Sequence, residues 1–171
     1  MEATPFFESD ANQMLLRQIQ ARLKDRGETV ATAESCTGGL VATLLTELSG
    51  SSDYYLGGIS AYANSVKVEL LGVDNEDLIQ FGAVSPQVAK AMAAGARDRI
   101  GATYGVSLTG IAGPSGGTEA KPVGTVYCGI ASQAGEESYL LNLSGNRAAI
   151  RIAAAGSAIR LLGRQIGIDI G

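Results

Sequence analysis

The order of strand-like and helix-like segments is the feature of this sequence that most constrains its fold. Short β-prone runs, such as residues 29–33 and 104–108, alternate with segments whose apolar residues recur at helical spacing. The alternation ends in two strand-like runs, 124–131 and 137–143, with a turn near Gly135 that predicts a hairpin. This order predicts an α/β fold, a three-layer α/β/α sandwich around a mixed, mostly parallel sheet, with ligands at the carboxyl ends of the strands.

Capping residues mark the ends of the predicted helices. Asp10 is the expected N-cap of the first helix and Gly27 its stop, while Ser85 and Pro86 begin a long Ala-rich helix that runs to residue 100. The remaining predicted elements are a strand over residues 58–62 and helices over residues 40–48, 64–72 (capped by Asn64), 75–81 and 146–167. The 171 residues suffice for one domain, 1–171, in which residues 1–9 are expected to form a disordered N-terminal tail.

Composition excludes several partners and chemistries. Charged residues make up 18% of the chain and the net charge is -4, so no broad basic face is expected for nucleic acid. No segment resembles a signal peptide or keeps the roughly 18 consecutive apolar residues of a membrane span. Two cysteines, Cys36 and Cys128, suit a reducing compartment, so we expect a cytoplasmic protein. The absence of His removes His-dependent triads and the usual zinc ligands, and we expect neither a metal nor a cofactor.

Ser35 lies where the first predicted strand gives way to a turn, Thr37-Gly38-Gly39, that opens a helix. Its hydroxyl would face a cleft lined by unpaired amides of the helix N-terminus, and such donors suit a developing oxyanion. Alternatively, Ser35 or Thr37 simply caps the helix. Cys36 is a competing nucleophile, because a helix N-terminus can lower a thiol pKa, although a buried structural cysteine is the commoner outcome.

Tyr62 and Lys67 flank the second predicted strand-to-helix junction, a place of the same kind as Ser35. A partly desolvated lysine beside a serine can lose its proton near neutrality and act as a base, and a tyrosine hydroxyl can relay that proton. Lys67 could equally be a solvated surface charge. Since the chain has no His, Ser35, Tyr62 and Lys67 form the most economical catalytic set available.

Two further segments could bind a substrate. Residues 109–117, which include Thr109, Gly110 and Gly113, form a glycine-rich loop whose amides could approach a ligand closely, or a flexible turn. The last helix begins near Arg147, with Arg151 one turn further on, and a helix N-terminus with arginines is a reasonable phosphate site. Arg147 could also be a solvated first-turn residue.

Five motifs, which with their flanks cover nearly the whole chain, resemble those of a known protein family. They are Thr-Ala-Glu-Ser-Cys-Thr-Gly-Gly at 32–39, Tyr-Ala-Asn-Ser-Val-Lys at 62–67, Gly-Ala-Val-Ser at 82–85, Thr-Gly-Ile-Ala-Gly-Pro with a Gly-Gly pair at 109–117, and Lys-Pro-Val-Gly-Thr-Val at 121–126. In this order they resemble the C-terminal domain of the CinA (competence/damage-inducible protein) family, which includes stand-alone nicotinamide-nucleotide amidases.

The resemblance implies hydrolysis of nicotinamide mononucleotide to nicotinate mononucleotide and ammonia, a step of pyridine-nucleotide salvage, with Ser35, Tyr62 and Lys67 as catalytic residues. It also implies a homo-oligomer, for which the apolar stretch 153–156 of the last helix and the glycine-rich loop could serve as interface. Two alternatives remain open: a non-catalytic nucleotide-binding or regulatory module, and an amidase for another small carboxamide. The substrate-binding residues expected are Thr37, Gly38, Gly39, Asn64, Thr109, Gly110, Gly113 and Arg147.

Overall fold

A computed structural model describes residues 9–170 of the chain. Helices and strands alternate until a final hairpin and a last long helix. In chain order they are α1 (Asp10–Arg26), β1 (Val30–Glu34), α2 (Leu40–Leu45), a 3-10 turn (Ser51–Asp53), β2 (Tyr55–Ser60), α3 (Asn64–Leu71), α4 (Asn75–Phe81), α5 (Pro86–Ile100), β3 (Tyr104–Gly110), β4 (Thr125–Ser132), β5 (Gly135–Asn142) and α6 (Arg147–Gln165).

The five strands form one sheet in the order β2-β1-β3-β4-β5. Strand β1 pairs in parallel with β2 and β3, whereas β4 runs antiparallel to both β3 and β5. Four strands therefore point in one direction and β4 alone in the other. The mixed, mostly parallel sheet and the late hairpin are both confirmed.

Helices cover both faces of the sheet, so the three-layer prediction is confirmed. On one face α1, α2 and α6 enclose a core that contains Ile19, Leu45 and Ile159, and on the other α3, α4 and α5 enclose a second core. Successive strand side chains point to opposite faces, so Val30 of β1 joins the first core and Ala31 the second. The same alternation decides which side chains at the end of β1 meet which helix.

Close backbone packing fixes α3 against α5. A methyl group at Gly95 of α5 would lie 2.0 Å from the carbonyl oxygen of Leu71, the last residue of α3. No side chain fits there, so the two helices approach until their backbones touch. This contact determines where α3 holds Lys67, one turn before Leu71.

Several predicted boundaries are wrong. The N-cap of α1 is Ser9, one residue before Asp10, and Asn64 is the first residue of α3 after an N-cap at Ala63 that makes no side-chain bond. Helix α2 ends at Leu45, three residues before the predicted end, and both the amide and the hydroxyl of its C-cap Thr46 donate to the Ala42 carbonyl. Strand β2 begins before residue 58, and β3 runs through residues 109 and 110, which the sequence placed in a loop.

The predicted tail falls mainly on residues 1–8, which lie outside the described residues, while Ser9 is the N-cap of α1. Ala154, Ala155 and Gly156 are buried within the protomer, so the idea that this stretch serves an interface is wrong for these three residues. Assembly into a homo-oligomer stays a prediction. Between residues 9 and 170 no helix has the length and apolar character needed to cross a bilayer.

Candidate active site

Ser35 follows β1 at the carboxyl end of the parallel strands. Its amide donates to the Leu108 carbonyl of β3 over 2.9 Å, so the strand pairing extends to Ser35 itself. The chain then turns into α2 through Gly38 and Gly39, whose φ angles of 64° and 115° suit glycine. The predicted sequence of strand, tight turn and helix is present, and it leaves Ser35 half-buried.

Lys67 meets Ser35 from the other side of this turn. A hydrogen bond of 3.1 Å joins its Nζ to Ser35 Oγ, and Nζ also donates to the carbonyls of Ala61 (2.8 Å) and Tyr62 (3.2 Å). The two segments meet because β1 and β2 are neighbouring parallel strands, and the Ala61 amide donates to the Glu34 carbonyl at their ends. The junctions that the sequence singled out are thus brought together.

The environment of Lys67 disfavours its charged form. The side chain is only 1% exposed, and burial lowers its pKa, against a small opposing influence from the Cys36 thiol. Among residues 9–170 no carboxylate forms an ion pair with it. A neutral amine has two N–H donors and one lone pair. The Ala61 and Tyr62 carbonyls can take both donors, which leaves the lone pair for the Ser35 hydroxyl.

The Tyr62 side chain does not join this pair. Tyr62 is 63% exposed, and its hydroxyl accepts a hydrogen bond of 3.0 Å from Arg147 Nη2. Arg147 Nη1 donates to the Gly113 carbonyl over 2.9 Å, so this arginine links the start of α6, the glycine-rich loop and the segment after β2. The expectation that Ser35, Tyr62 and Lys67 meet holds for Ser35 and Lys67 only, because the Tyr62 hydroxyl is bound to Arg147.

Glu34 is a residue next to the candidate site whose part in holding the turn the sequence reasoning missed. Its buried carboxylate accepts hydrogen bonds from the amides of Gly39 (3.1 Å), Val41 (3.0 Å) and Ala42 (2.9 Å) at the N-terminus of α2. The expectation that unpaired helix amides line the cleft is therefore wrong for these three. An acidic residue shortly before a glycine-initiated helix was the available signal, because the helix dipole favours negative charge there.

Cys36 points away from Ser35, into the core beneath α2 and α6. Burial raises the pKa of its thiol to about 11, which keeps the thiol protonated near neutrality. Its neighbour Thr37 is also fully buried, and the Thr37 hydroxyl has no hydrogen-bond partner among residues 9–170. Of the two candidate nucleophiles, Ser35 is the one whose side chain contacts the Lys67 amine.

Arg151 lies behind the Ser35 turn and not beside Arg147 in a phosphate site. Its Nε donates to the Cys36 carbonyl over 3.0 Å and its Nη2 to the Thr37 carbonyl over 2.9 Å. Nothing in the sequence connects residue 151 to residues 36 and 37. The contact arises because α6 packs beside α2 on the same face of the sheet.

The remaining predicted residues lie around this centre with differing roles. The buried Thr109 hydroxyl donates to the Ala83 carbonyl over 2.7 Å, so it anchors β3 to the segment before α5. Lys121 Nζ donates to the carbonyls of Phe81 and Val84, 2.7 Å each, and holds the glycine-rich loop against the same segment. The Asn64 side chain is exposed. Over residues 9–170, no three His, Cys, Asp or Glu side chains are grouped to hold a metal ion.

Comparisons with known proteins agree with this architecture. A CinA-like protein of Synechocystis sp. is 51% identical over 151 residues, which are 86% of this chain and 36% of that protein. A CinA-like protein of Nostoc sp. is 48% identical over 166 residues, 91% of this chain and 39% of that protein. The chain thus spans well under half the length of these relatives.

Solved structures extend the likeness to the fold. The competence/damage-inducible protein CihA of Agrobacterium tumefaciens is 41% identical with a TM-score of 0.88, over 95% of this chain and 97% of that one. A CinA superfamily protein of Enterobacter cloacae is 30% identical with a TM-score of 0.87, over 98% and 96% of the two chains. The sequence pattern of the CinA C-terminal domain matches residues 12–166. The chain belongs to the CinA C-terminal domain family.

Proposed function

We propose that this protein is an amidohydrolase that deamidates nicotinamide mononucleotide through an acyl-enzyme on Ser35. The observation that carries the proposal is the 3.1 Å hydrogen bond between Ser35 Oγ and the Nζ of a lysine that is 1% exposed. Burial without an acidic partner lowers the pKa of a lysine, and such an amine can lose its proton and act as a base. A serine whose hydroxyl touches such a base has the arrangement of an activated nucleophile.

In the proposed mechanism Lys67 takes the proton of the Ser35 hydroxyl while Oγ attacks the carboxamide carbon. The C=O electron pair moves onto oxygen, and the tetrahedral intermediate then expels the nitrogen, which takes the proton from Lys67 and leaves as ammonia. Water attacks the resulting ester with Lys67 again as base, and the proton returns to Ser35 Oγ as the carboxylic acid leaves. The cycle needs no metal and no redox partner.

The oxyanion requires donors on the Ser35 side of β3. The Thr37 amide donates to no acceptor among the described residues, so it is one candidate. The Gly110 amide is a second. Ile111 donates to Thr125 across the β3–β4 ladder, and ladder alternation then turns the Gly110 amide toward the edge where Ser35 lies. Amide donors of this kind strengthen their bonds as negative charge develops.

Arg147 and Tyr62 are the proposed contacts for the 5′-phosphate at the exposed side of the site. Their side chains are joined by a hydrogen bond of 3.0 Å, and Tyr62 is 63% exposed. A guanidinium and a phenol at the mouth of the site can both donate to phosphate oxygens. In this proposal Tyr62 acts on the substrate, and Lys67 alone is the base.

The choice of nicotinamide mononucleotide rests on the resemblance to nicotinamide-nucleotide amidases in the family. The names of the relatives state only that they are CinA-like or competence/damage-inducible proteins. This chain supports the choice through its chemistry. Ser35 beside Lys67 is suited to attack a carboxamide, and Arg147 at the mouth of the site is suited to bind a phosphate.

The test is release of ammonia from nicotinamide mononucleotide, with formation of the acid followed by mass spectrometry. We expect turnover by the wild-type protein, none by Ser35→Ala, and near wild-type turnover by the matched control Cys36→Ala. Binding of the nucleotide without ammonia release would support the non-catalytic module instead. Turnover of other small carboxamides in preference to the nucleotide would change the substrate but keep the chemistry.

Arg147→Ala separates the phosphate contact from the chemistry. We expect KM for the mononucleotide to rise about tenfold or more, with kcat much less affected, because the guanidinium contacts a part of the substrate that does not react. Nicotinamide riboside, which lacks the phosphate, should be turned over equally by both proteins. An unchanged KM for the mononucleotide would remove Arg147 from phosphate binding.

A further inference from the structure

The Arg151 guanidinium has an unusual set of partners. It donates to the backbone carbonyls of Cys36 and Thr37, the two residues that follow Ser35. Within residues 9–170 no carboxylate lies within ion-pair distance of it. A half-buried positive charge is therefore directed at the peptide groups of the nucleophile turn.

Because the peptide bond is planar, these two contacts also fix the direction of the amides that follow the two carbonyls. In a trans peptide the C=O and the following N–H point in opposite directions. Because the Cys36 and Thr37 carbonyls face Arg151, the amides of Thr37 and Gly38 face away from it. The Gly38 amide has this orientation, since it donates to the Ser35 carbonyl over 3.1 Å.

Several amides of the turn are already engaged, whereas those of Cys36 and Thr37 have no acceptor among the described residues. Glu34 accepts from Gly39, Val41 and Ala42, and Ser35 accepts from Gly38. The Thr37 amide has no acceptor among the described residues, and it is directed away from Arg151 by the same peptide whose carbonyl Arg151 holds. Opposite charges thus fix the turn from two sides, with Glu34 accepting from its amides and Arg151 donating to its carbonyls.

We propose that Arg151 is a positioning residue that holds the Cys36 carbonyl so that the Thr37 amide faces the oxyanion formed when Ser35 attacks. This inference rests on the proposed function of Ser35. It identifies the Thr37 amide as an oxyanion donor and Arg151 as the residue that holds it. The guanidinium also polarises the peptide, because a charge-assisted hydrogen bond to the carbonyl makes the N–H at its other end a stronger donor. Arg151 touches neither the substrate nor the reacting atoms.

The test compares Arg151→Ala and Arg151→Lys with Arg164→Ala, a control in the last turn of the same helix. We expect kcat to fall about 10- to 100-fold in Arg151→Ala, within the effect of losing one oxyanion donor, while KM changes less than about threefold. Arg151→Lys keeps the charge and helps preserve folding, but an ammonium cannot hold both carbonyls in the fork geometry, so kcat should fall there too. Arg164→Ala should match the wild type.

Two readouts separate positioning from mere structural support. Millimolar guanidinium should restore part of kcat to Arg151→Ala and nothing to Lys67→Met. A fluorophosphonate that labels serine nucleophiles places its phosphoryl oxygen where the oxyanion forms. We therefore expect its reaction with Ser35 to slow by a similar factor in Arg151→Ala and in Arg151→Lys, with thermal unfolding used to verify that both variants are folded.

The outcomes for Arg151 and for the proposed function are distinguishable. A wild-type protein that is labelled at Ser35 but releases no ammonia from the mononucleotide overturns the substrate and leaves the role of Arg151 measurable by labelling. Folded Arg151 variants that react and turn over at the wild-type rate overturn the positioning role. So does a rise in KM at constant kcat, which would make Arg151 a substrate contact.

Discussion

Replacing Lys67 with methionine removes the base while keeping an unbranched side chain of similar length. In the proposed mechanism this lysine accepts the Ser35 proton over a hydrogen bond of 3.1 Å. A positioned general base contributes about 10²- to 10⁴-fold to the rate. No second base contacts Ser35 Oγ among residues 9–170, so we expect kcat to fall about 10³-fold, or about 4 kcal/mol of transition-state stabilisation.

The same substitution should leave the protein folded. Loss of the amine leaves the Ala61 and Tyr62 carbonyls without their donor, at a cost of about 1–3 kcal/mol for each buried group. It also removes the penalty of burying a lysine, which is about 1.4 kcal/mol for each unit by which its pKa is lowered. The removed penalty offsets only part of this cost, so we expect the variant to be destabilised but still folded, and denaturant unfolding can verify this.

The pH profile tests which form of Lys67 is active. In the proposed mechanism this is the neutral amine, so kcat/KM should rise with pH through the lowered pKa of Lys67, at a pH below the value of about 10.4 for an exposed lysine. Stability should rise over the same interval, because the unfolded chain binds the proton more tightly than the native state. Lys67→Met should show neither increase.

Ammonia release and denaturant unfolding, each measured from pH 6 to pH 10, test whether Lys67 acts as the base. Lys67→Arg is the matched control, because arginine keeps the charge but cannot be deprotonated in a protein, and it should be as inactive as the methionine variant. If Lys67→Met retained kcat within about tenfold of the wild type while KM rose, the lysine would be a binding group and the base assignment would fail.

Three further substitutions probe the frame around this pair. Cys36→Ser should keep kcat, and wild-type activity should resist iodoacetamide at neutral pH, because burial raises the pKa of the thiol to about 11; rapid inactivation by the reagent would contradict this. Glu34→Ala should lower the free energy of unfolding by about 3 kcal/mol, because three amides lose a charged acceptor. Urea denaturation measures this change, and a loss under about 1 kcal/mol would mean that water replaces the carboxylate. Gly95→Ala should lower the free energy of unfolding by about 3 kcal/mol or more and also lower kcat, because a methyl group 2.0 Å from the Leu71 carbonyl displaces the helix that carries Lys67. A variant as stable as the wild type would show that α3 and α5 can separate freely.

The sequence predicted the fold well because its signals are local. Glycines that end α1 and α3, and the Ser85-Pro86 start of α5, fix helix ends through backbone conformation alone. Strand β2 was placed too late because Gly57, a residue depleted in strands, separates Tyr55 and Leu56 from the predicted run that begins at Gly58. That strand forms because its backbone pairs with β1, which is a contact made in three dimensions.

In the candidate site, too, some contacts could be predicted from the sequence and others could not. Ser35 and Lys67 could be paired from the sequence, because adjacent parallel strands bring equivalent junctions to one edge of the sheet. The partners of Arg151 and Tyr62 could not, because they depend on where α6 crosses the turn, more than 80 residues away along the chain. Side-chain direction at such crossings is set by helix packing, on which sequence spacing carries no information.

Side-chain alternation at the end of β1 explains how one short turn holds an acid and a base without joining them. Glu34 points to the face of α2, where three amides bind its carboxylate, whereas Ser35 points to Lys67 on the face of α3. An ion pair between Glu34 and Lys67 would stabilise the ammonium and raise the pKa of the lysine, which would remove the proposed base. Because the helix N-terminus binds the carboxylate instead, burial is the main influence on Lys67, and burial lowers its pKa. The glycine turn that opens α2 would therefore serve the proposed chemistry twice, since it leaves the Ser35 hydroxyl beside Lys67 and keeps the nearby negative charge away from the amine.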